Sequence, residues 1–157
     1  MAHTINIRIA HQHDAAKLTK LFNQYRQFYN QSSQLEQAER FISERLKKQD
    51  STIFVAEAGG VKNNDLPQII GFCQLYPCFS SISMKKAWIL NDLYITPDFR
   101  KNGVGKKLIE QALEFCRNNQ AAYVTLQTAH TNTAAQALYK KLGFEEEKQF
   151  LTFNYGF

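Results

Sequence analysis

The chain has little cysteine. Cys73, Cys78 and Cys116 are odd in number and show no Cys-x-x-Cys spacing, which excludes a disulfide framework and a thiolate zinc site and leaves buried free thiols as the expectation. No apolar run approaches the length of a membrane span. Met1 to Ala10 has neither the basic stretch nor the long apolar segment of a secretory signal, so the expected location is cytoplasmic, with no membrane partner. Although the formal charge is +5, Lys and Arg are scattered and never form a block of roughly five or six. That argues against a nucleic-acid-binding arm while leaving room for a phosphate-bearing partner. Repeats, linkers and low-complexity segments are absent too. What is present is an ordinary globular composition, 44% hydrophobic and 21% charged over 157 residues, enough for one core and a single domain over residues 1–157.

Ile5, Ile7 and Ile9 alternate with polar or small residues, the period of a half-buried strand. Asp14 is placed to cap a helix whose apolar face is Leu18, Leu21, Phe22, Tyr25, Phe28 and Tyr29. That face either packs into the core or lines, in part, a substrate pocket. Ser33 and Glu36 have capping-box spacing, and Leu35, Ala38, Phe41, Ile42 and Leu46 continue a second helix to about Lys48. Thr52–Ala58, Ile69–Pro77 and Ala87–Ile95 read as an antiparallel meander, its turns at Gly59-Gly60 through Asn63, Asn64, Asp65 and Pro67, and at Ser80–Lys86. From Gly103 the period becomes helical through Leu108, Ile109, Ala112, Leu113 and Cys116. Tyr123–Gln127 is then a strand, Thr133–Leu142 a short helix stopped by Gly143, and Phe150–Tyr155 a final alternating strand. The order β-α-α-β-β-β-α-β-α-β predicts a three-layer α/β/α domain with a mixed sheet. Its strand-helix-strand unit after residue 87 should be a right-handed parallel crossover.

The sharpest local signal is Arg100-Lys101-Asn102-Gly103-Val104-Gly105, set between a predicted strand and a long helix. A helix N-terminus offers unpaired N–H groups and a positive dipole end, and glycines let several N–H groups converge on one anion. Arg100, Lys101, Lys106 and Lys107 add positive charge. The dinucleotide fingerprint is absent, because Leu108 stands where a third glycine is required. So is the P-loop, because Gly105-Lys106-Lys107 stands where Gly-Lys-Ser/Thr is needed. The motif alone is equally compatible with an ordinary strand-to-helix turn. A second signal lies downstream in Asn132 and Ala137-Leu138-Tyr139-Lys140-Lys141-Leu142-Gly143-Phe144. There Leu138 and Leu142 share an apolar stripe, and Tyr139 stands at its edge, one turn past Ala135, with a hydroxyl able to give up a proton.

Together the two signals, Arg-x-x-Gly-x-Gly at 100 to 105 and, some way downstream, Asn132 with Ala-Leu-Tyr-x-x-x-Gly-Phe, resemble the GNAT superfamily of acetyl-CoA-dependent N-acetyltransferases. The resemblance extends over essentially the whole chain. It implies acetyl-CoA as cofactor and no metal. The pantetheine arm would lie where the strand Trp88–Ile95 splays from Tyr123–Gln127, bonded by backbone groups of Leu93 and Ile95. The loop Arg100, Lys101, Asn102, Gly103, Val104, Gly105 and Lys106 would hold the pyrophosphate. Asn132, with Ala135 beside it, would bond the pantetheine or neighbouring backbone, and Tyr139 would serve the departing thiolate as general acid. The aromatic first helix and the tail Phe-Leu-Thr-Phe-Asn-Tyr resemble the polyamine-acetylating branch, which places Tyr25, Tyr29, Asn91 and Phe153 at the acceptor. Dimers are common in the family, and the C-terminal strand would be an edge for one.

One departure bears on the chemistry. The polyamine branch carries a Glu-Asp pair where this chain has Asn91-Asp92, and Asn91 cannot act as a base. Asp92 can, directly or through water, but strand alternation would turn it to the face opposite Asn91. It is equally readable as a buried carboxylate satisfied by backbone N–H groups. The acceptor implied is a small primary amine or an amino-acid amine. Protein lysine or N-terminal acetylation, and acyl-CoA binding without turnover, are the competing readings.

Overall fold

The computed structural model describes residues 4–59 and 66–157. The predicted turn residues Gly60, Asn63, Asn64 and Asp65, and the start of the N-terminal segment, lie outside them. Two compact units are formed, Met1–Gln127 and Thr128–Phe157.

In the first unit, five strands lie in the order β1-β2-β3-β4-β5: β1 Thr4–Ile9, β2 Thr52–Gly59, β3 Gln68–Ser80, β4 Lys85–Ile95 and β5 Val124–Thr125. The first four pair antiparallel, and β5 runs parallel to β4, as a strand-helix-strand crossover requires. Helices α1 Ala15–Phe28 and α2 Leu35–Lys48 cover one face. Their Leu18, Leu21, Phe22, Ala38 and Ile42 share a core with Ile53, Val55, Ile69, Phe72 and Tyr94 of the sheet. Helix α3, Val104–Asn118, covers the other face, where Phe115 packs against Phe54 and Trp88 at ring distances of 5.7 and 5.2 Å. Strand residues of opposite parity, Val55 and Phe54, thus feed the two cores. This is the predicted three-layer α/β/α mixed sheet.

Local differences from the sequence expectation have identifiable causes. The α2 cap is not Ser33. The helix starts after Gln34, whose N–H donates to Asn23 Oδ1, while Asn23 Nδ2 donates to the Ser33 hydroxyl. A buried asparagine of α1 therefore fixes the α1–α2 connection from outside. Asp14 accepts the His11 N–H at 2.8 Å and the Arg8 guanidinium at 2.8 and 2.9 Å, tying β1 to the start of α1. Strand β5 is shorter than predicted because only Val124 and Thr125 find register partners, Trp88 and Ile89. Cys73 and Cys116 are buried free thiols, and Cys78 is a half-buried one.

The second unit contains α4, Thr133–Lys141. The predicted strand Phe150–Tyr155 does not form. Among the described residues the segment makes no ladder bonds, and Phe150, Leu151, Phe153 and Tyr155 are all exposed. Period-2 alternation shows that a segment suits a pleated edge, but a strand exists only with a partner backbone to complete its hydrogen bonds.

Candidate active site

The centre of the first unit is an irregularity in β4. Leu75 stands opposite Leu90, and Gln74 opposite Asp92, leaving Asn91 as the extra residue of a bulge. Directly paired residues share a face and adjacent ones do not. Asp92 therefore faces away from Leu90, although the two-residue period alone would put them together. The bulge turns Asp92 toward the α1–α2 layer, the side occupied by Phe72 and Tyr94. It also removes the expected separation of Asn91 from Asp92, because the Asn91 amide bonds the Asp92 carboxylate at 3.0 Å.

Asp92 is 2% exposed. Its partners are side chains and not the backbone N–H groups considered from sequence. Gln74 Nε2 donates to Oδ2 at 2.6 Å and Asn91 Nδ2 to Oδ1 at 3.0 Å, and the single proton of the Tyr25 hydroxyl is shared between the carboxylate and the Asn91 carbonyl at 3.3 Å. Burial pushes the Asp92 carboxyl above its ordinary value, and the three neutral donors offset this only in part. Burial, reinforced by the negative charge of Asp92, also holds the Tyr25 phenol in its neutral form.

Aromatic rings wall this region. Tyr25 sits edge-on to Tyr29, Phe72 and Tyr94 at ring distances of 5.1, 5.9 and 6.5 Å. Tyr29 and Phe28 are exposed. Of the first helix's aromatic face, Phe22 packs into the core, and Phe28 and Tyr29 reach solvent. Arg100 folds back over the end of β4, its Nε donating to the Ile95 carbonyl at 2.9 Å. Its guanidinium lies 5.7 and 5.5 Å from the Phe28 and Tyr94 rings, within cation–π range.

Pairing between β4 and β5 ends at Ile89 and Thr125, whereas β4 continues to Ile95, held there by β3 through Leu93↔Cys73 and Ile95↔Gly71. Past Ile89 the β5-side edge of β4 is therefore free of ladder bonds among the described residues. The chain then turns through Lys101 and Gly103, both left-handed with φ of 63° and 77°. Gly103 caps α3, and its φ is one that a side chain would strain. The first helical bond is Lys107 N–H to Gly103 carbonyl at 3.1 Å. The N–H groups of Val104, Gly105 and Lys106 thus belong to the first turn, which has no intrahelical acceptors. Val104 is buried and anchors that turn, Asn102 is exposed, and Lys106 Nζ lies 3.6 Å from Glu110. Converging backbone donors at a positive helix end suit a pyrophosphate, and a sheet edge with free amide groups suits the amide-bearing pantetheine arm.

In the second unit the motif around Tyr139 has a mechanical explanation. The Gly143 N–H donates to the Lys140 carbonyl and the Phe144 N–H to the Tyr139 carbonyl, at 3.1 and 3.0 Å, with Gly143 left-handed at φ 92°. This is a Schellman motif, and its accompanying apolar contact is Tyr139 against Phe144, 5.9 Å between rings. The glycine ends the helix and the phenylalanine fixes one side of the tyrosine ring. At the other end, Asn132 Oδ1 caps α4 by accepting the Ala135 N–H at 3.2 Å. Phe153 lies in the exposed tail.

A separate cavity of about 730 Å³ is lined by Ile9, His11, His13, Arg45, Ser51 and Phe115, among others. It sits where β1 ends and β2 begins, whereas the glycine turn follows the far end of β4, which is parallel to β2. Among the described residues no cluster of His, Cys, Asp and Glu could hold a metal ion, and no helix is long and apolar enough to cross a membrane.

Gln74 was missed from sequence. A lone amide inside the apolar run Ile69 to Tyr76 was the available signal, since a polar side chain in a buried strand has a buried partner.

Residues 16–144 match the acetyltransferase (GNAT) family. Over 147 residues the chain is 46% identical to the uncharacterized N-acetyltransferase YhfO of Bacillus subtilis (strain 168), covering 94% of each chain. It is 31% identical over 109 residues to the D-amino-acid N-acetyltransferase HPA3 of Saccharomyces cerevisiae, covering 69% of this chain and 63% of that one. A crystal structure of a probable acetyltransferase superposes with a TM-score of 0.87 at 32% identity, covering 97% of each chain. An aminoglycoside N-acetyltransferase, AAC(6')-Iy, solved in complex with CoA, shares the fold with a TM-score of 0.78 at 22% identity, covering 99% of this chain and 97% of that one. The chain belongs to the acetyltransferase (GNAT) family and is an N-acetyltransferase whose cofactor is acetyl-CoA.

Proposed function

We propose that this enzyme acetylates the primary amine of a small molecule or an amino acid, with Asp92 as the base and Tyr139 as the acid. The observation that carries the reading is the buried Asp92 carboxylate, raised in pKa, with only neutral donors, beside the aromatic face of α1. An alkylamine is mostly protonated at neutral pH, with a pKa of about 10 by analogy with lysine, and must lose a proton before it can attack. A carboxylate whose pKa is raised takes that proton better than an ordinary one.

The remaining roles are those that the sequence motifs suggest. The first-turn N–H groups, with Arg100, Lys101, Asn102, Gly103, Val104, Gly105 and Lys106, hold the pyrophosphate, and Leu93 and Ile95 offer backbone groups to the pantetheine arm. Asn132 and Ala135 flank that arm. When bound, acetyl-CoA supplies an activated acetyl thioester. The Tyr139 hydroxyl holds the proton that the departing sulfur needs, and Tyr25, Tyr29, Asn91 and Phe153 bound the acceptor. All of residues 1–157 act as one functional domain, a reading supported by a family match that spans both compact units. The amino-acid acceptor of the yeast relative supports the small-amine reading. The exposed, alternating tail supports pairing with a second copy of the chain as a homodimer. The work of the enzyme is assigned to the cytoplasm.

The test is a panel of polyamines, amino acids, aminoglycosides and lysine peptides incubated with acetyl-CoA, with free thiol as the readout. Turnover fastest on a small amine or amino acid supports the reading, and turnover confined to peptides replaces it with protein acetylation. Tyr139→Phe should lower turnover roughly 10²-fold while leaving cofactor affinity little changed. A wild-type chemical step in that variant removes Tyr139 from the role.

A further inference from the structure

Gln74 has no solvent exposure, and its amide is fully engaged. One N–H goes to Asp92 Oδ2 at 2.6 Å and the other to the Tyr76 hydroxyl at 3.0 Å, while its oxygen accepts from the Ser51 hydroxyl at 2.9 Å. Burying a primary amide in a strand otherwise packed with apolar groups is costly unless every polar atom is paired. Here the pairing runs to a carboxylate that has no cation partner among the described residues.

We infer that Gln74 is a positioning residue for acetyl transfer: it fixes the Asp92 carboxylate against β3 and supplies the shortest hydrogen bond that the carboxylate receives. The inference rests on the reading of Asp92 as base. Three strands cooperate. Ser51, just before β2, holds the amide oxygen, Gln74 of β3 carries the link, and the β4 bulge brings Asp92 into register opposite it. Without the bulge Asp92 would face α3 and Gln74 would have no acid to serve.

Gln74 also sets when Asp92 titrates. The titratable groups on the face of Asp92 are Tyr25 from α1 and Tyr76 from β3, and Cys73 lies next to them on the opposite face of β3; all are kept neutral by burial. Asn91 is its neighbour on β4. With no cation among these groups, neutral donors are what favour the ionised form, and Gln74 is the foremost of them. Its removal leaves burial less opposed, so Asp92 must hold its proton to higher pH.

The experiment is Gln74→Met in the full chain, which keeps the side chain's length and removes both amide N–H groups. Asp92 is followed by carboxyl ¹³C NMR titration, and kcat/KM by its pH profile. The expected result is an upward move of the Asp92 titration by about one pH unit, the size of a hydrogen bond to a charged group, with the acid limb of kcat/KM moving with it. A merely structural role would lower activity equally at all pH values. An Asp92 titration unmoved in a folded variant overturns the inference. Should Gln74→Met not fold, Gln74→Glu places two acids in contact, and a titration split into two separated steps is expected. Unsplit, independent titrations overturn the inference. Failure of the base reading is separable: there Asp92→Asn retains the wild-type acid limb, while the NMR shift in Gln74→Met persists.

Discussion

Asp14 and Asp92 are both nearly excluded from solvent, at 3% and 2% exposure, yet their surroundings drive them in opposite directions. Asp14 meets the Arg8 guanidinium at 2.8 and 2.9 Å, which pulls its pKa down to about 2, helped by the His11 N–H. Arg8 also reaches Glu57 at 2.6 Å, so the charges of β1, β2 and the start of α1 compensate one another. Asp92 meets amides and a phenol, and burial pushes its pKa up. A carboxylate paired with a cation is fixed in one protonation state and serves the fold. One held only by neutral donors takes up a proton more readily than an ordinary carboxylate and can serve a reaction.

The largest effect that would sharpen this contrast is on activity. Asp92→Asn should lower kcat/KM on the preferred amine at pH 7 by about 10²-fold, the lower range of general-base contributions. Asp14→Asn, assayed alongside, should stay within a few-fold of wild type. Equal losses in two folded variants would break the comparison.

Stability should show the reverse ranking. Asp14→Asn leaves Arg8 with one carboxylate instead of two and weakens the link to the His11 N–H, a loss of about 2 kcal/mol. In a chain of this size that lowers Tm by about 6 °C, readable by scanning calorimetry. A variant melting with wild type would show the Arg8–Asp14–Glu57 network to be dispensable.

The smallest effect lies in the pH dependence of that stability. The folded-state pKa of Asp14 is depressed, so its contribution is fully present above about pH 4 and is lost as pH falls toward about 2. Asp92, raised in the folded state, works oppositely: its contribution is present at low pH and lost as pH rises through its folded pKa. Denaturant midpoints measured from pH 5 down to pH 2 should therefore decline less steeply in Asp14→Asn than in wild type. Parallel declines would assign the acid sensitivity to other carboxylates.

Much of the architecture was legible in the sequence because it depends on local periodicity. Helical spacing marked α1, α2, α3 and α4, and strand-length runs marked β2, β3 and β4, each within a few residues. The two glycine motifs were legible because each does one physical job: Gly103 takes a left-handed turn before a helix, and Gly143 ends one. The tail from Phe150 to Tyr155 was misread because alternation specifies a surface and cannot supply the partner backbone. The interior of the candidate site was hidden for a different reason. Whether Asp92 faces α1 or α3 depends on a one-residue bulge, and that is a property of β3–β4 register, invisible in either strand alone. Gln74 was overlooked with it, since its role exists only once Asp92 is turned toward it.

The most direct test of the account is the pH profile of kcat/KM for Asp92→Asn beside wild type, in protein shown to be folded and with a saturable amine acceptor. The account predicts a loss that is greatest near neutrality and shrinks as pH approaches the amine's own pKa of about 10, where the free amine no longer needs a base. A profile parallel to wild type, reduced by the same factor at every pH, would contradict it and leave Asp92 a structural carboxylate like Asp14.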